Sequence, residues 1–119
     1  MRYGILSDIH GNLDALQAVL QAAPPVDAWI CLGDTVGYGP EPNECVYRIR
    51  SLSQVTLIGN HDLAALGRLD LDWFNPHARA AAEWTQQQLS PESRTFLEGL
   101  PETWKDDSAD ATFSHGSLT

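Results

Sequence analysis

Apolar positions along the front of this chain alternate between short runs and helical spacing. Tyr3 to Leu6 is a short apolar run that breaks at Ser7-Asp8-Ile9-His10-Gly11-Asn12. Leu13, Leu16, Val19 and Leu20 then recur at helical spacing behind Asn12, a natural N-cap, and Pro24-Pro25 closes that helix. Ala28 to Leu32 reads as a buried strand stopped by Gly33-Asp34. A Gly- and Pro-rich loop, Gly37 to Pro42, follows, and Pro42 suits the first turn of a helix that buries Cys45, Val46, Ile49 and Leu52. Val55 to Ile58 reads as a third strand, ended by Gly59-Asn60-His61-Asp62.

This order, β-α-β-α-β with short connections, predicts an α/β fold whose parallel sheet carries helices on its faces. Asn75-Pro76 and Ser90-Pro91 each pair an N-cap with a Pro at the first helical position, and so open two further helices. The first presents Ala78, Ala81, Ala82, Thr85 and Leu89 on one face. Trp104-Lys105-Asp106 and Ala111-Thr112-Phe113-Ser114 read as a late pair of strands, the second running into His115-Gly116. No repeat or low-complexity segment interrupts the chain, so residues 1–119 read as one domain.

Composition narrows the function. The hydrophobic share of 43% is enough for a core, and the net charge of −9 disfavours a nucleic-acid partner. A small phosphorylated substrate stays open, because bound divalent cations would invert the local charge. Cys31 and Cys45 are too few for a disulfide framework, and no apolar stretch approaches a membrane span. The expectation is a reduced, cytoplasmic protein with no membrane partner.

Each early strand ends in residues of metal-ligand type: Asp8 and His10, then Asp34, then Asn60, His61 and Asp62. A later strand adds His115. In an open parallel sheet the carboxyl ends of the strands share one edge, where ligands bind. Carboxylate, amide oxygen and imidazole are the mixed donor set of Mn, Fe and Zn sites, without the thiolates of structural zinc. Asp8 and His10, two apart in an extended segment, project to one side as two ligands of one ion need. Asp34 has two oxygens and can bridge ions ~4 Å apart, as in two-metal hydrolytic sites, where bound water becomes the nucleophile. Singly, each of these segments is an ordinary turn; His77, in the first turn of a helix, is set aside as a ligand.

Together, Asp8-Ile9-His10, Gly33-Asp34-Thr35-Val36-Gly37, Gly59-Asn60-His61-Asp62 and His115-Gly116 resemble, in order, four signature motifs of the calcineurin-like metallophosphoesterases. Tyr38-Gly39-Pro40-Glu41-Pro42-Asn43 and the Asn75-to-Pro101 segment are most similar to the bacterial phosphodiesterases of that superfamily. The resemblance implies the front part of a four-layer α-β-β-α sandwich and a binuclear centre of two divalent ions, manganese, iron or zinc. Asp8 and His10 would bind the first metal, Asp34 would bridge, and Asn60 and His115 would bind the second. His61 is similar to the family's catalytic histidine, which protonates the leaving oxygen, and Asp62 would orient it. The implied activity is hydrolysis of a phosphomonoester or phosphodiester by a metal-activated water.

The family's later Gly-His-x-His motif has no counterpart before Thr119, so the expectation is a chain truncated after the fourth motif, with each metal keeping three protein ligands. An uncovered sheet face then points to a homo-oligomer. The missing histidines also support an alternative class, a catalytically incomplete fold serving as a binding or interaction module. An intact Asn60-His61-Asp62 argues against that alternative, and the lack of a basic stripe argues against a nuclease. The glycine fingerprint of a dinucleotide-binding turn is absent at Asp8 to Asn12, and so is a P-loop.

Overall fold

Strands β1 (Tyr3–Leu6), β2 (Ala28–Cys31) and β3 (Ser53–Thr56) form a parallel sheet in the order β1-β2-β3. The structure is a computed structural model that describes residues 2–106 and 111–115. Gly116 of the fourth motif lies outside those residues. Helix α1 (Leu13–Ala22) joins β1 to β2, and helix α2 (Pro42–Leu52) joins β2 to β3. Both pack on one side of the sheet: Leu6, Leu16, Cys31, Cys45 and Ile49 form a single buried cluster. The anticipated helix starts hold. Asn12 accepts the Ala15 N–H at 3.0 Å, and Pro42 stands in the first turn of α2. Val19, expected on the buried stripe, is 50% exposed, because α1 turns only Leu16 fully inward.

Helix α4 (Pro76–Gln88) is capped by Asn75 and helix α5 (Pro91–Glu98) by Ser90, as the two cap-Pro pairs anticipate. With α2 and α3 (Asn60–Ala65) they enclose a second core around Val36, Val46, Ala65, Leu89 and Leu97. Asn43 ties α2 to this layer. Its amide donates to the Gln88 carbonyl at 2.8 Å and accepts the Ser90 N–H at 2.9 Å.

Two features differ from the sequence expectation. Strand β3 begins at Ser53, which is also the C-cap of α2, so the pairing comes earlier than Val55. The segment after Gly59 is helix α3, where the Asp62 carboxylate accepts the Gly59 N–H at 2.9 Å from the third helical position. Strands β4 (Thr103–Asp106) and β5 (Ala111–Ser114), the late pair, form an antiparallel sheet of their own beside the three-stranded parallel one. Tyr3 anchors this hairpin to β1. Its hydroxyl donates to Asp106 Oδ2 at 2.6 Å, and its ring meets Trp104 edge-on.

Candidate metal centre

The parallel ladder does not stop where the strands end. Asp8 N–H donates to the Gly33 carbonyl (3.1 Å), His10 N–H to the Asp34 carbonyl (2.9 Å) and Gly11 N–H to the Thr35 carbonyl (2.9 Å). Two loops from different strands are thus held backbone to backbone. Asp8, His10 and Asp34 all take positive φ, 58°, 52° and 57°, which side-chain-bearing residues rarely adopt. This corrects the alternation argument for Asp8 and His10, since neither is extended. They converge nonetheless, with Asp8 Oδ1 3.5 Å from His10 Nε2. Strain of this kind gathers at functional sites, where the surroundings over-determine the backbone.

Asp34 is the centre of the arrangement. It is 3% exposed; its Oδ1 accepts the His61 N–H at 2.9 Å, which leaves Oδ2 facing His115 Nε2 at 3.1 Å and His10 Nε2 at 3.8 Å. Gly59 makes the approach possible, because a Cβ there would fall on the Asp34 carboxylate. Burial raises the Asp34 carboxyl against the opposing pull of the His61 N–H and the neighbouring imidazoles. At Asp8 burial also pushes upward, but hydrogen bonds from Ser7 and Asp34 and the charges of His10 and His115 win and lower it.

The orientation of two imidazoles suits a cation. His115 Nδ1 lies 3.0 Å from the Leu32 carbonyl, and His10 Nδ1 lies 3.3 Å from the Val36 carbonyl. A carbonyl can only accept, so Nδ1 carries a proton in each ring, and Nε2 is left to face the acidic groups, as a lone pair when the ring is neutral and as a donor when it is charged. Both Nε2 atoms stand against further acceptors. His115 Nε2 meets Asp34 Oδ2 and, at 3.2 Å, Asn60 Oδ1, while His10 Nε2 meets carboxylates of Asp8 and Asp34. Groups so arranged need a positive charge between them, a proton on Nε2 or a bound cation, and carbonyl-anchored imidazoles are the usual support of metal ligands. Two groups of donor atoms each lie within 4.8 Å: His10, Asp34 and His61, and Asp8, Asp34 and His115. Both contain Asp34. The residues present therefore fit a divalent metal, with His61 falling in the group of His10 and Asp8 in the group of His115.

His115 reaches the site from β5, outside the parallel sheet, so the expectation that all ligands lie on one sheet edge holds for Asp8, Asp34 and Asn60 and not for His115. The role foreseen for Asp62 is also corrected. Its carboxylate is fully buried and accepts three backbone N–H groups, those of Asp34 (2.9 Å), Val36 (3.1 Å) and Gly59 (2.9 Å). It fastens the Asp34 loop to α3, and both its oxygens are engaged there. Burial raises this carboxyl to about 7 against the pull of those donors.

The His61 ring stands among other rings. It lies 4.8 Å from His10, 4.9 Å from Tyr38 and 5.0 Å from Phe74. Gly37 backs it, with φ 100° and only 3.0 Å between a would-be Cβ and the His61 Cβ. Burial lowers the His61 imidazole, opposed by the charge of Asp34. The His77 ring stacks on Tyr38 at 5.7 Å. Tyr38 and Phe74 are the site neighbours that side-chain chemistry alone did not single out. Their position inside the Gly37–Pro42 loop and just before Asn75-Pro76 was the available signal. Among the described residues, no helix is long and apolar enough to cross a membrane.

A family model described as calcineurin-like phosphoesterase matches residues 1–117. The crystal structure of a metallophosphoesterase from Sphaerobacter thermophilus is 53% identical, with a TM-score of 0.76, over 89% of this chain and 44% of that one. An uncharacterized protein of Methanocaldococcus jannaschii is 46% identical over 82% of this chain and 41% of its own length. A protein of Psychromonas ingrahamii named bis(5'-nucleosyl)-tetraphosphatase, symmetrical, is 41% identical over 52% of this chain and 24% of its own length. The chain spans less than half the length of each of these relatives.

Proposed function

The chain belongs to the calcineurin-like phosphoesterase family, and from that premise we propose that its site hydrolyses a phosphomonoester or phosphodiester of a small soluble molecule, using two divalent cations. The observation that carries the reading is the buried Asp34 carboxylate, one oxygen fixed by the His61 N–H and the other facing the Nε2 atoms of His10 and His115. Asp8, His10 and Asp34 would hold one ion, and Asp34, Asn60 and His115 the other. Divalent ions there, manganese, iron or zinc, would supply a lowered pKa for bound water and charge neutralisation for phosphoryl oxygens. The tetraphosphatase among the relatives supports hydrolysis at phosphorus as the chemistry.

The chain's own residues divide the remaining work. His61 as its imidazolium would donate a proton to the leaving oxygen as a water oxygen bonds to phosphorus and the ester P–O bond breaks, so the alcohol departs neutral and the imidazole is left neutral. Phe74, Tyr38 and His10 surround that ring and restrict its orientation. Asp62 acts at one remove, holding the Asp34 loop against α3. Asn60 adds an oxygen donor without adding negative charge opposite an anionic substrate.

Elemental analysis of purified protein, beside a phosphomonoester and a phosphodiester assay, tests the reading. The expected result is close to two divalent ions per chain and turnover that a chelator abolishes. Stoichiometric metal without turnover on either ester class would favour the binding-module alternative.

A further inference from the structure

Tyr38, the residue that follows Gly37, departs from what a loop tyrosine ordinarily does. Its φ is 61°, a conformation that is a genuine outlier for a bulky side chain. The consequence of that turn is the ring's position: edge-on to His10 at 5.2 Å and tilted against His61 at 4.9 Å, while the residue remains 43% exposed. His77, exposed in the first turn of α4, lies against the same ring at 5.7 Å with an interplanar angle of 22°. Phe74 adds a further ring 5.0 Å from His61. An exposed Tyr–His stack adds little to a hydrophobic core, and neither ring belongs to the two core clusters. Its place beside His61 is what it gains.

We propose that Tyr38, His77 and Phe74 form an aromatic shelf that binds the organic group of the substrate, and that this group carries a planar aromatic ring, as a nucleoside or aryl phosphate does. The proposal rests on the phosphoesterase reading, since it needs the phosphoryl group to sit at Asp34, His10 and His61. Beside the His10 ring, the rings of Tyr38 and Phe74 stand within 5.0 Å of the His61 ring that would protonate the leaving oxygen. Planar rings stack on such surfaces by offset or edge contact, without any demand for a particular hydrogen-bond pattern. The shelf therefore selects for ring-bearing esters over aliphatic ones and does not read one base.

Phenylphosphonate and methylphosphonate share the anionic group, resist hydrolysis and differ in the ring. Calorimetric titration of the manganese-loaded chain with each compares them directly, with metal content measured in parallel. The phenyl compound should bind about 10-fold more tightly, the order expected for one aromatic stacking contact. Tyr38→Leu and His77→Ala should shrink that preference toward unity with metal content retained, and Tyr38→Phe should preserve it. Equal affinity of the parent for both compounds would overturn the shelf while leaving the metal reading intact. So would equal losses for both compounds in Tyr38→Leu, which would make Tyr38 a support for His10 and His61 only. If neither phosphonate binds the metal-loaded parent, the phosphoesterase reading falls and the shelf falls with it.

Discussion

Asp62 has no exposed surface, and its two oxygens accept three N–H donors from the loops that carry Asp34 and Gly59. Asp62→Asn keeps the shape but replaces one acceptor oxygen by an NH2 facing a backbone donor. One buried N–H is then unpaired, at a cost of ~1–3 kcal/mol, which denaturant unfolding would register as a lower midpoint. An Asn variant as stable as the parent would mean the carboxylate is not the clasp proposed here. Asp34→Asn removes the shared charge and an acceptor lone pair set, so metal affinity should fall; stoichiometric binding as tight as the parent's would count against bridging. His61→Ala separates two roles that geometry brings close, because His61 lies with His10 and Asp34 in one donor group. As a general acid it should lower turnover by ~10²–10⁴-fold with metal content nearly unchanged, and less for nitrophenolate esters, whose leaving group scarcely needs a proton. Metal lost together with activity would make it a ligand. The identities of these residues were legible in the sequence because few side chains bind hard cations. The left-handed backbone at Asp8, His10 and Asp34 was not, since periodicity is blind to φ at single positions.

Helix α4 links local sequence to the site through its first turn. Asn75 Oδ1 accepts the Ala78 N–H at 2.8 Å, and His77 stands within that turn, stacked on Tyr38. Asn75→Ala should cost ~1 kcal/mol, the usual value of an N-cap, and amide exchange should speed up selectively at residues 77 and 78. Uniform acceleration over the whole helix would instead indicate a loss of packing against Ala64 and its neighbours, where Gln86 also bonds. The caps at Asn12, Asn75 and Ser90 were readable because an Asn or Ser before a Pro or an apolar stripe has one main use. Helix α3 was not, because Gly59 has no side chain to mark an N-cap, and the bond that fixes its start comes from Asp62 within the helix. The hairpin of β4 and β5 was legible as two strands, but not as a separate sheet. Its attachment includes contacts between residues distant in sequence, such as Tyr3 to Asp106 and His115 to Leu32, that no local pattern announces.

On the scale of the molecule, apolar surface is unevenly covered. Leu6 is 7% exposed under α1 and α2, whereas Ile5, on the opposite face of the same edge strand, is 46% exposed. Val19 on α1 is 50% exposed and borders a cavity of about 390 Å³ whose walls run from Leu6, Ala15 and Leu16 to Asp8, His10 and Tyr38 of the site. Parallel sheets are stable when both faces are covered, and exposed apolar surface of this kind drives association. We propose that the isolated chain self-associates through the Ile5 side of β1. Sedimentation velocity across a wide concentration range should show the mean size rising with concentration. Ile5→Lys should suppress the rise at little cost in stability, because a half-exposed position lets the ammonium reach water. The net charge of −9 opposes close approach of two copies at low ionic strength, so added salt should strengthen association in the parent. A compact monomer that unfolds cooperatively at every concentration and salt level would contradict the proposal. An Ile5→Lys variant that associates as strongly as the parent would move the contact to another face, with the Val19 cavity the next surface to substitute.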